Sequence, residues 1–498
     1  MKTKFKVLFI YPNTMMATLL PLNVSMLSAC LKEAGFEVEL FDTTYYKTEE
    51  ISFEQKKVEL LQVKPFNLEE SGIHFRETDI FEDLRKHVND YQPSLIGITL
   101  VEDTIDLGLS LLEAIRDYDA PVIAGGVGVN FNAEKLIRQD CIDMLCIGEG
   151  ELALVELCER MKAGKNYSDV KNLWVKENGQ IIRNPLRSPI DINRLPFIDF
   201  DIFEPSRLGR PMHGTIYKML HIELDRGCPF NCTYCEAPAI RKLYSRAGHT
   251  KYHRKKDSGR IIAEMEHLRE KYDPNYIDFN SESFLAKKYD ELEMFGKAYK
   301  RRIGLPFWCQ SRPETVSEEK IALLKEIGCA DMQFGIEHGN EEFRKKILNR
   351  HVGNDRMLKA LKIVEKYEIP YTVNNIIGFP GETRELVFDT INFNRQISPK
   401  TMNCYMFTPY HGTPLYQYCV ENGLLEPEAK TKQLLGGADI KYEYITREEL
   451  LGLQRTFSLY ARLPESYYEK IKIAEKFDDV GNKMFEELRQ VFIKMFYN

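Results

Sequence analysis

The reading of this chain turns on the stretch ELDRGCPFNCTYCEAPA (residues 223–239), which places cysteines at 228, 232 and 235. Gly227, Pro229 and Asn231 are turn formers, so a loop this short can curl and bring three thiols toward one point. Structural zinc takes four ligands. His221 lies inside the preceding strand pattern, and His249 and His253 stand more than a dozen residues on, so no fourth ligand is obvious. A four-iron cluster normally has cysteine at every iron, and three ligands leave one iron open to an outside molecule. Structural zinc and incidental cysteines are the competing readings. The other eight of the eleven cysteines (30, 141, 146, 158, 309, 329, 404 and 419) are scattered singly, mostly in apolar segments, where free cysteine acts as a small hydrophobe. They form no disulfide framework.

Working outward, strand and helix patterns alternate downstream of the loop. KMLHIELD leads into it; YIDFN, PFWCQS, DMQFGIE, YTVNNIIG and MNCYMFTP follow, each separated from the next by an amphipathic stretch. Six βα units predict an open or partial (β/α)6 TIM-type barrel over 216–415. Upstream, FKVLFIY, FEVELFD, PSLIGITL, APVIAGG and IDMLCIG alternate with helical patterns, which predicts an α/β, doubly wound parallel sheet over 1–165. Ligands of such sheets sit over the carboxyl ends of the strands, where AGGVGVN (124–130) and CIGEGE (146–151) supply glycine. No G-x-G-x-x-G opens the first helix, so the dinucleotide fingerprint is absent. A charged excursion occupies 44–80. Residues 166–215 read as a linker containing a hairpin with Asn178-Gly179 at its turn, and 416–498 as a mainly helical region.

With 498 residues, 43% hydrophobic and 29% charged, the chain is long enough for two or three domains. A net charge of -7 and a pI near 5.9 argue against a nucleic-acid partner. No run of about eighteen apolar residues predicts a transmembrane segment, and the first residues enter a strand after only a short apolar run, so the expected location is cytoplasmic.

The wording RGCPFNCTYC, with C-x3-C-x2-C after the first barrel strand and Tyr234 just before the last cysteine, resembles the radical S-adenosylmethionine (SAM) superfamily. The resemblance implies a [4Fe-4S] cluster on Cys228, Cys232 and Cys235, with SAM on the open iron. It further assigns polar groups at the second strand's end (Ser281, Glu282, Ser283) to the methionine amine and Arg312 to a carboxylate. It assigns Glu337, with His338 or Asn340 nearby, to the ribose or methionine, and NNIIGFPGET to the adenine. Upstream of such a barrel, PLNVSMLSACLKEAGFEVELFD, AGG and IGEGE are similar to the flavodoxin-like (Rossmann-type) cobalamin-binding domain of cobalamin-dependent radical SAM enzymes, and the two resemblances together cover residues 1 to about 460. The implied corrinoid contacts are Thr99, Gly125, Gly126, Val127, Gly148 and Glu149. Where this class commonly has histidine two positions after the glycine pair, this chain has Gly128, and the first βα turn, PNTMMATL, lacks D-x-H-x-x-G, so no histidine of this domain is expected to ligate cobalt.

The implied activity is reductive cleavage of SAM to a 5′-deoxyadenosyl radical, hydrogen abstraction from substrate, and methylation of an unactivated carbon from methylcobalamin. Cyclisation or rearrangement without net methyl transfer is the rival within the architecture, and a non-catalytic iron-sulfur or corrinoid sensor the rival outside it. Methylthiolation of tRNA would call for further N-terminal cluster cysteines and a basic C-terminal barrel, which are not visible. The implied partners are a flavodoxin or ferredoxin as electron donor and a small-molecule, lipid or peptide substrate. Tyr405, Tyr410, His411, Asn374 and Asn403 are expected at the barrel mouth.

Overall fold

The computed structural model describes residues 4–15, 20–68, 73–427, 435–437 and 439–497. Strands β1 (Lys6–Tyr11), β2 (Glu37–Asp42), β3 (Leu95–Thr99), β4 (Val122–Gly125) and β5 (Met144–Cys146) form a parallel sheet in the order β2-β1-β3-β4-β5. Because successive side chains point to opposite faces, Leu8, Ile10, Ile96 and Ile98 enter one buried core, and Val7, Phe9, Leu95 and Ile123 enter another. Both faces are covered by helices, which is why these strands read as continuous apolar runs. Each fully buried aliphatic contributes about 1.5–3 kcal/mol.

Three expectations for this half change. The hairpin β6 (Leu173–Glu177) and β7 (Gln180–Arg183) is not part of the linker. It pairs antiparallel with β5 and extends the first sheet to seven strands, covering an edge that would otherwise be open. Its turn does form at Asn178 and Gly179, both in the left-handed region (φ 51° and 74°). Of the glycine-rich stretch 124–130, Ala124 and Gly125 end β4 and only Gly126 separates them from a helix that starts at Val127. Gly126 has φ 107°, and a Cβ there would stand 2.5 Å from the Leu100 carbonyl oxygen, so only glycine lets the chain turn from strand to helix this sharply. Finally, the charged excursion 44–80 contains a helix, Phe53–Glu59, started by a capping box between Ser52 and Gln55.

Strands β8 (Gly209–Met212) and β9 (Thr215–Glu223) form a hairpin that opens the second sheet. The ribbon β10 (Asp225–Arg226) with β11 (Arg254–Lys255) brackets the cysteine loop. β12 (Tyr276–Asn280), β13 (Phe307–Ser311), β14 (Cys329–Glu337), β15 (Tyr371–Ile377) and β16 (Thr401–Met406) complete the order β16-β15-β14-β13-β12-β9-β8. The six strands from β9 to β16 in this sheet are parallel, as the six βα units predict. The sheet curls without closing.

The connecting segment is packed. Ile192, Leu195, Ile198 and Phe200 share one continuous core with Val24 and Leu154 on one side and Leu220 and Ile261 on the other. The C-terminal helices Arg447–Arg462 and Asp479–Phe496 pack on β15, β16 and the helix Arg384–Asn394. They also grip the excursion near residue 61: Tyr497 Oη and Ser458 Oγ donate to the Leu61 carbonyl (2.7 and 3.2 Å), and Gln62 Nε2 donates to that of Cys404 (3.0 Å). The helix Pro414–Glu421 belongs with the barrel as much as with this region, because Leu415 N bonds the Thr233 carbonyl of the cysteine loop (3.1 Å). No helix among the described residues is long and apolar enough to cross a membrane.

Candidate functional site: a cysteine loop facing a glycine-lined cavity

The cysteine loop leaves β10 through Gly227 (φ 91°) and ends where Cys235 caps the helix Glu236–Arg246. Backbone and side-chain bonds from two directions hold it. Arg241, on that helix, donates to the carbonyls of Cys228 and Phe230 and to Asn231 Oδ1. From the β14 side, Thr233 Oγ1 donates to the Ile347 carbonyl (2.6 Å) and Asn349 Nδ2 to that of Asn231 (2.9 Å). All three thiols are free and partly exposed. Burial pushes the Cys228 thiol up to about 11 and that of Cys235 higher, and the Glu282 carboxylate, then the neighbouring thiols, raise both further. Yet no three His, Cys, Asp or Glu side chains among the described residues close around a point as one metal ion requires.

Around the loop lies a buried ionic network. Glu337, at the end of β14, sits in the left-handed region (φ 65°), a strained position for a non-glycine residue. Its carboxylate meets Arg350 Nη1 at 3.0 Å and lies beside Tyr234, the aromatic within the cysteine motif. Burial lifts the Glu337 carboxyl above its ordinary range despite Arg350. Arg312 stacks over Phe230 (3.8 Å), reaches Cys232 Sγ (3.5 Å) and pairs with Glu314 (2.5 Å). Burial opposes ionisation of Glu314, but Arg350 and Arg312 together hold its carboxyl below the usual value. The carboxylate expected for Arg312 is therefore met within the protein by Glu314.

Other sequence-derived positions separate. Glu282 is exposed at the rim of a small recess with Gly227, Pro229 and Lys287. Its neighbours are committed elsewhere: Ser281 donates to Asp225 (2.6 Å) and Ser283 bonds Ser311 (3.2 Å). His338 and Asn340 do not join Glu337. His338 is buried against Phe343 and bonded to Glu382 (3.0 Å), and Asn340 caps the helix Glu341–Lys346, because the chain turns away from the barrel mouth directly after Glu337. Tyr405 and Asn403 face the barrel lumen, whereas His411 pairs with Glu102 of the first domain.

The six positions picked out in the first domain converge. Thr99, Gly125, Gly126, Val127, Gly148 and Glu149 all line one cavity of about 400 Å³ at the carboxyl ends of β3, β4 and β5. Its walls are largely apolar, from Phe9, Leu22, Leu27, Ile123 and Leu154. Gly97 opens it further: a Cβ there would meet the Phe9 ring at 2.9 Å. A glycine in mid-strand was the available signal for Gly97. Asn23, whose Nδ2 donates to Thr99 Oγ1 (2.8 Å), was missed as well. Glu149 contributes differently from expectation. Its carboxylate bonds Arg226 (3.1 Å), Arg254 and the Ile190 amide (2.9 Å), and those partners hold it below the usual range against the cost of burial. It ties the cavity's edge to the ribbon that brackets the cysteine loop.

A walled cavity with bare glycine backbone at one end is able to take a large planar cofactor, and three thiols in a curled loop a cluster. Two family descriptions match the same two regions: B12 binding domain over residues 14–158 and Radical SAM superfamily over 222–393. The chain belongs to the radical SAM enzymes that carry a B12-binding domain, whose cofactors are a [4Fe-4S] cluster, SAM and cobalamin. Among known proteins, it is 26% identical over 379 residues to the uncharacterized methyltransferase PH0819 of Pyrococcus horikoshii, covering 75% of this chain and 80% of that one. The fold is shared with the radical SAM methyltransferase TsrM of Kitasatospora setae, solved with cobalamin and a [4Fe-4S] cluster (TM-score 0.63, 19% identity, 86% of this chain and 77% of that one). It is shared too with the cobalamin-dependent radical enzyme OxsB (TM-score 0.68, 14% identity, 99% and 72%).

Proposed function

We propose that this protein abstracts hydrogen from its substrate through a 5′-deoxyadenosyl radical and methylates an unactivated carbon. Cys228, Cys232 and Cys235 would hold the cluster, and Tyr234, Glu282 and Glu337 would contact SAM, with Arg312 reaching it from beside Cys232 while staying paired to Glu314. Thr99, Gly125, Gly126, Val127, Gly148 and Glu149 would surround the corrinoid, in a cavity that no histidine lines among the described residues. When bound, the cluster and SAM supply the radical and the corrinoid a transferable methyl group. The chain's own part is placement. Buried Arg350 fixes Glu337, Arg241 fixes the loop, and the Glu149–Arg226 contact fixes the distance between the two cofactor sites.

One observation carries this reading: Glu223 and Arg226, which lead into the cysteine loop, also line the glycine cavity, so the two cofactors would face each other across one seam. Similarity to the uncharacterized methyltransferase supports methyl transfer, and similarity at 22% identity to an anaerobic magnesium-protoporphyrin IX monomethyl ester cyclase of Rubrivivax gelatinosus supports the rival, cyclisation. A flavodoxin or ferredoxin serves as reductant, in the cytoplasm. Reduced with dithionite in the presence of SAM, the reconstituted protein is expected to release 5′-deoxyadenosine, and with substrate added, a roughly equal amount of S-adenosylhomocysteine. Release of 5′-deoxyadenosine alone would establish cyclisation or rearrangement instead, and neither product would leave a sensor.

A further inference from the structure

A second cavity, of about 600 Å³, fills the barrel lumen between the strands and the first domain. Asn23, Thr99 and Val101 line both this cavity and the glycine-lined one, so the two meet. Closed (β/α) barrels pack this space with branched apolar side chains. Here the alternation is reversed. The strands send apolar residues such as Ile222, Phe334, Val373 and Met402 outward into the core, and present His221, Gln310, Gln333, Thr372, Asn403 and Tyr405 to the lumen.

The charged groups of the lumen are neutralised within the protein. Asp278 accepts from Arg210 (2.6 Å) and pairs with His221 (2.8 Å), Asp331 pairs with His213, Lys57 with Glu54 (3.4 Å), and Arg207 with Asp42 (2.8 Å). Apart from Lys64 at the rim, and one unpaired atom each on Arg207 (Nη2) and Asp331 (Oδ1), the groups left over are neutral amides. Gln310 and Gln333 have no hydrogen-bond partner among the described residues. Asn403 Nδ2 donates to Asn374 Oδ1 (2.8 Å), but Asn403 Oδ1 is buried without a partner. Leaving such a group unpaired costs about 1–3 kcal/mol, which a ligand's hydroxyls would recover. Beside these amides stand the aromatic surfaces of Tyr11, Phe53, Phe66 and Trp308, which suit the C–H face of a ring.

We propose that the lumen binds an uncharged polyhydroxylated ring, a sugar or cyclitol, rather than a lipid or a tetrapyrrole. A lipid would leave the amides unpaired. A tetrapyrrole's carboxylates would find every lumen cation but Lys64, at the rim, already paired among the described residues. The inference rests on the function proposed above only in taking this ligand to be the substrate.

The test is saturation-transfer NMR on the full chain loaded with cluster and cobalamin, using maltose, sucrose and myo-inositol, with laurate and protoporphyrin IX as the opposing probes. Transfer to the ring protons of at least one polyol is expected, with affinity weakened about tenfold in Gln333→Leu and in Gln310→Leu, while cobalamin content, read by absorbance, shows that the variants fold. Binding of laurate or protoporphyrin IX in competition with the polyols overturns the proposal, as does absence of transfer to all three polyols, or transfer that both variants leave unchanged. Release of 5′-deoxyadenosine is measured on the same preparation. If it occurs without polyol binding, the substrate class falls and the reaction stands; polyol binding without release does the reverse.

Discussion

The cysteine loop and the glycine-lined cavity, the two sites proposed for cofactors, are built by opposite means. The loop uses side chains, three thiols whose identity is the chemistry, steadied by Arg241 and by the Glu337–Arg350 pair. The cavity uses the lack of side chains: Gly97, Gly125, Gly126 and Gly148 keep a space open at the carboxyl ends of parallel strands. Thiols cannot be exchanged without losing the ligand's bonds, whereas a glycine cavity depends on shape and tolerates change wherever an added Cβ has room. A side-chain site is therefore conspicuous in a sequence, and a backbone site is visible only once its fold is suspected.

The largest expected effect breaks that comparison at its sharper end. Cys235→Ala should abolish iron-sulfur absorbance and SAM cleavage while cobalamin binding persists, since the thiol takes no part in the cavity. Loss of both cofactors together would mean the two regions fold as one. Next, Arg350→Met leaves Glu337 buried without its nearest cation, and chemical denaturation should show a loss of about 3 kcal/mol or more. A third variant, Gly126→Val, forces a branched residue to φ 107° and against the Leu100 carbonyl. It should lose cobalamin, read by absorbance after desalting, keep its iron, and cost roughly 1–3 kcal/mol of stability.

The smallest effect lies at the seam. Burial and the neighbouring charge of Glu102 push the Asp103 carboxyl up to about 7, from 3.8. The folded state therefore binds this proton more tightly than the unfolded chain, so the stability from it is present below pH 4 and is lost as pH rises toward and through 7. Thermal unfolding should show Asp103→Asn flattening that decline and raising the melting temperature at pH 8 by a few degrees. An unchanged pH profile would mean the two halves separate enough to hydrate the seam.

Much of this was legible in advance, for reasons that differ by element. Strand and helix order followed the apolar periodicity: the parallel strands of the first sheet are buried on both faces and leave apolar runs, while those of the second alternate apolar toward the core with polar toward the lumen. The second core-facing alternation, polar toward the lumen, was just as plainly written in QSR, DMQFG and TMNCY, yet nothing local says that Gln310, Gln333 and Asn403 meet across three strands. The hairpin at 173–183 was found as a hairpin but given to the linker, since its pairing partner, β5, is set by sheet topology. His338 and Glu382 are 44 residues apart, and only their burial together shows that this histidine is structural.

By itself the sequence determined the two domain types, and it singled out the three thiols proposed for the cluster and the glycines that line the first domain's cavity, because each is a local requirement: a ligand atom, a turn, or a period. The tertiary structure decided which charges cancel, that Glu149 joins the domains, that residues 53–66 wall the lumen, and that two cavities meet at Asn23, Thr99 and Val101. These depend on groups brought together from distant segments, where the interaction exists only after the chain has paid its ordering entropy and closed.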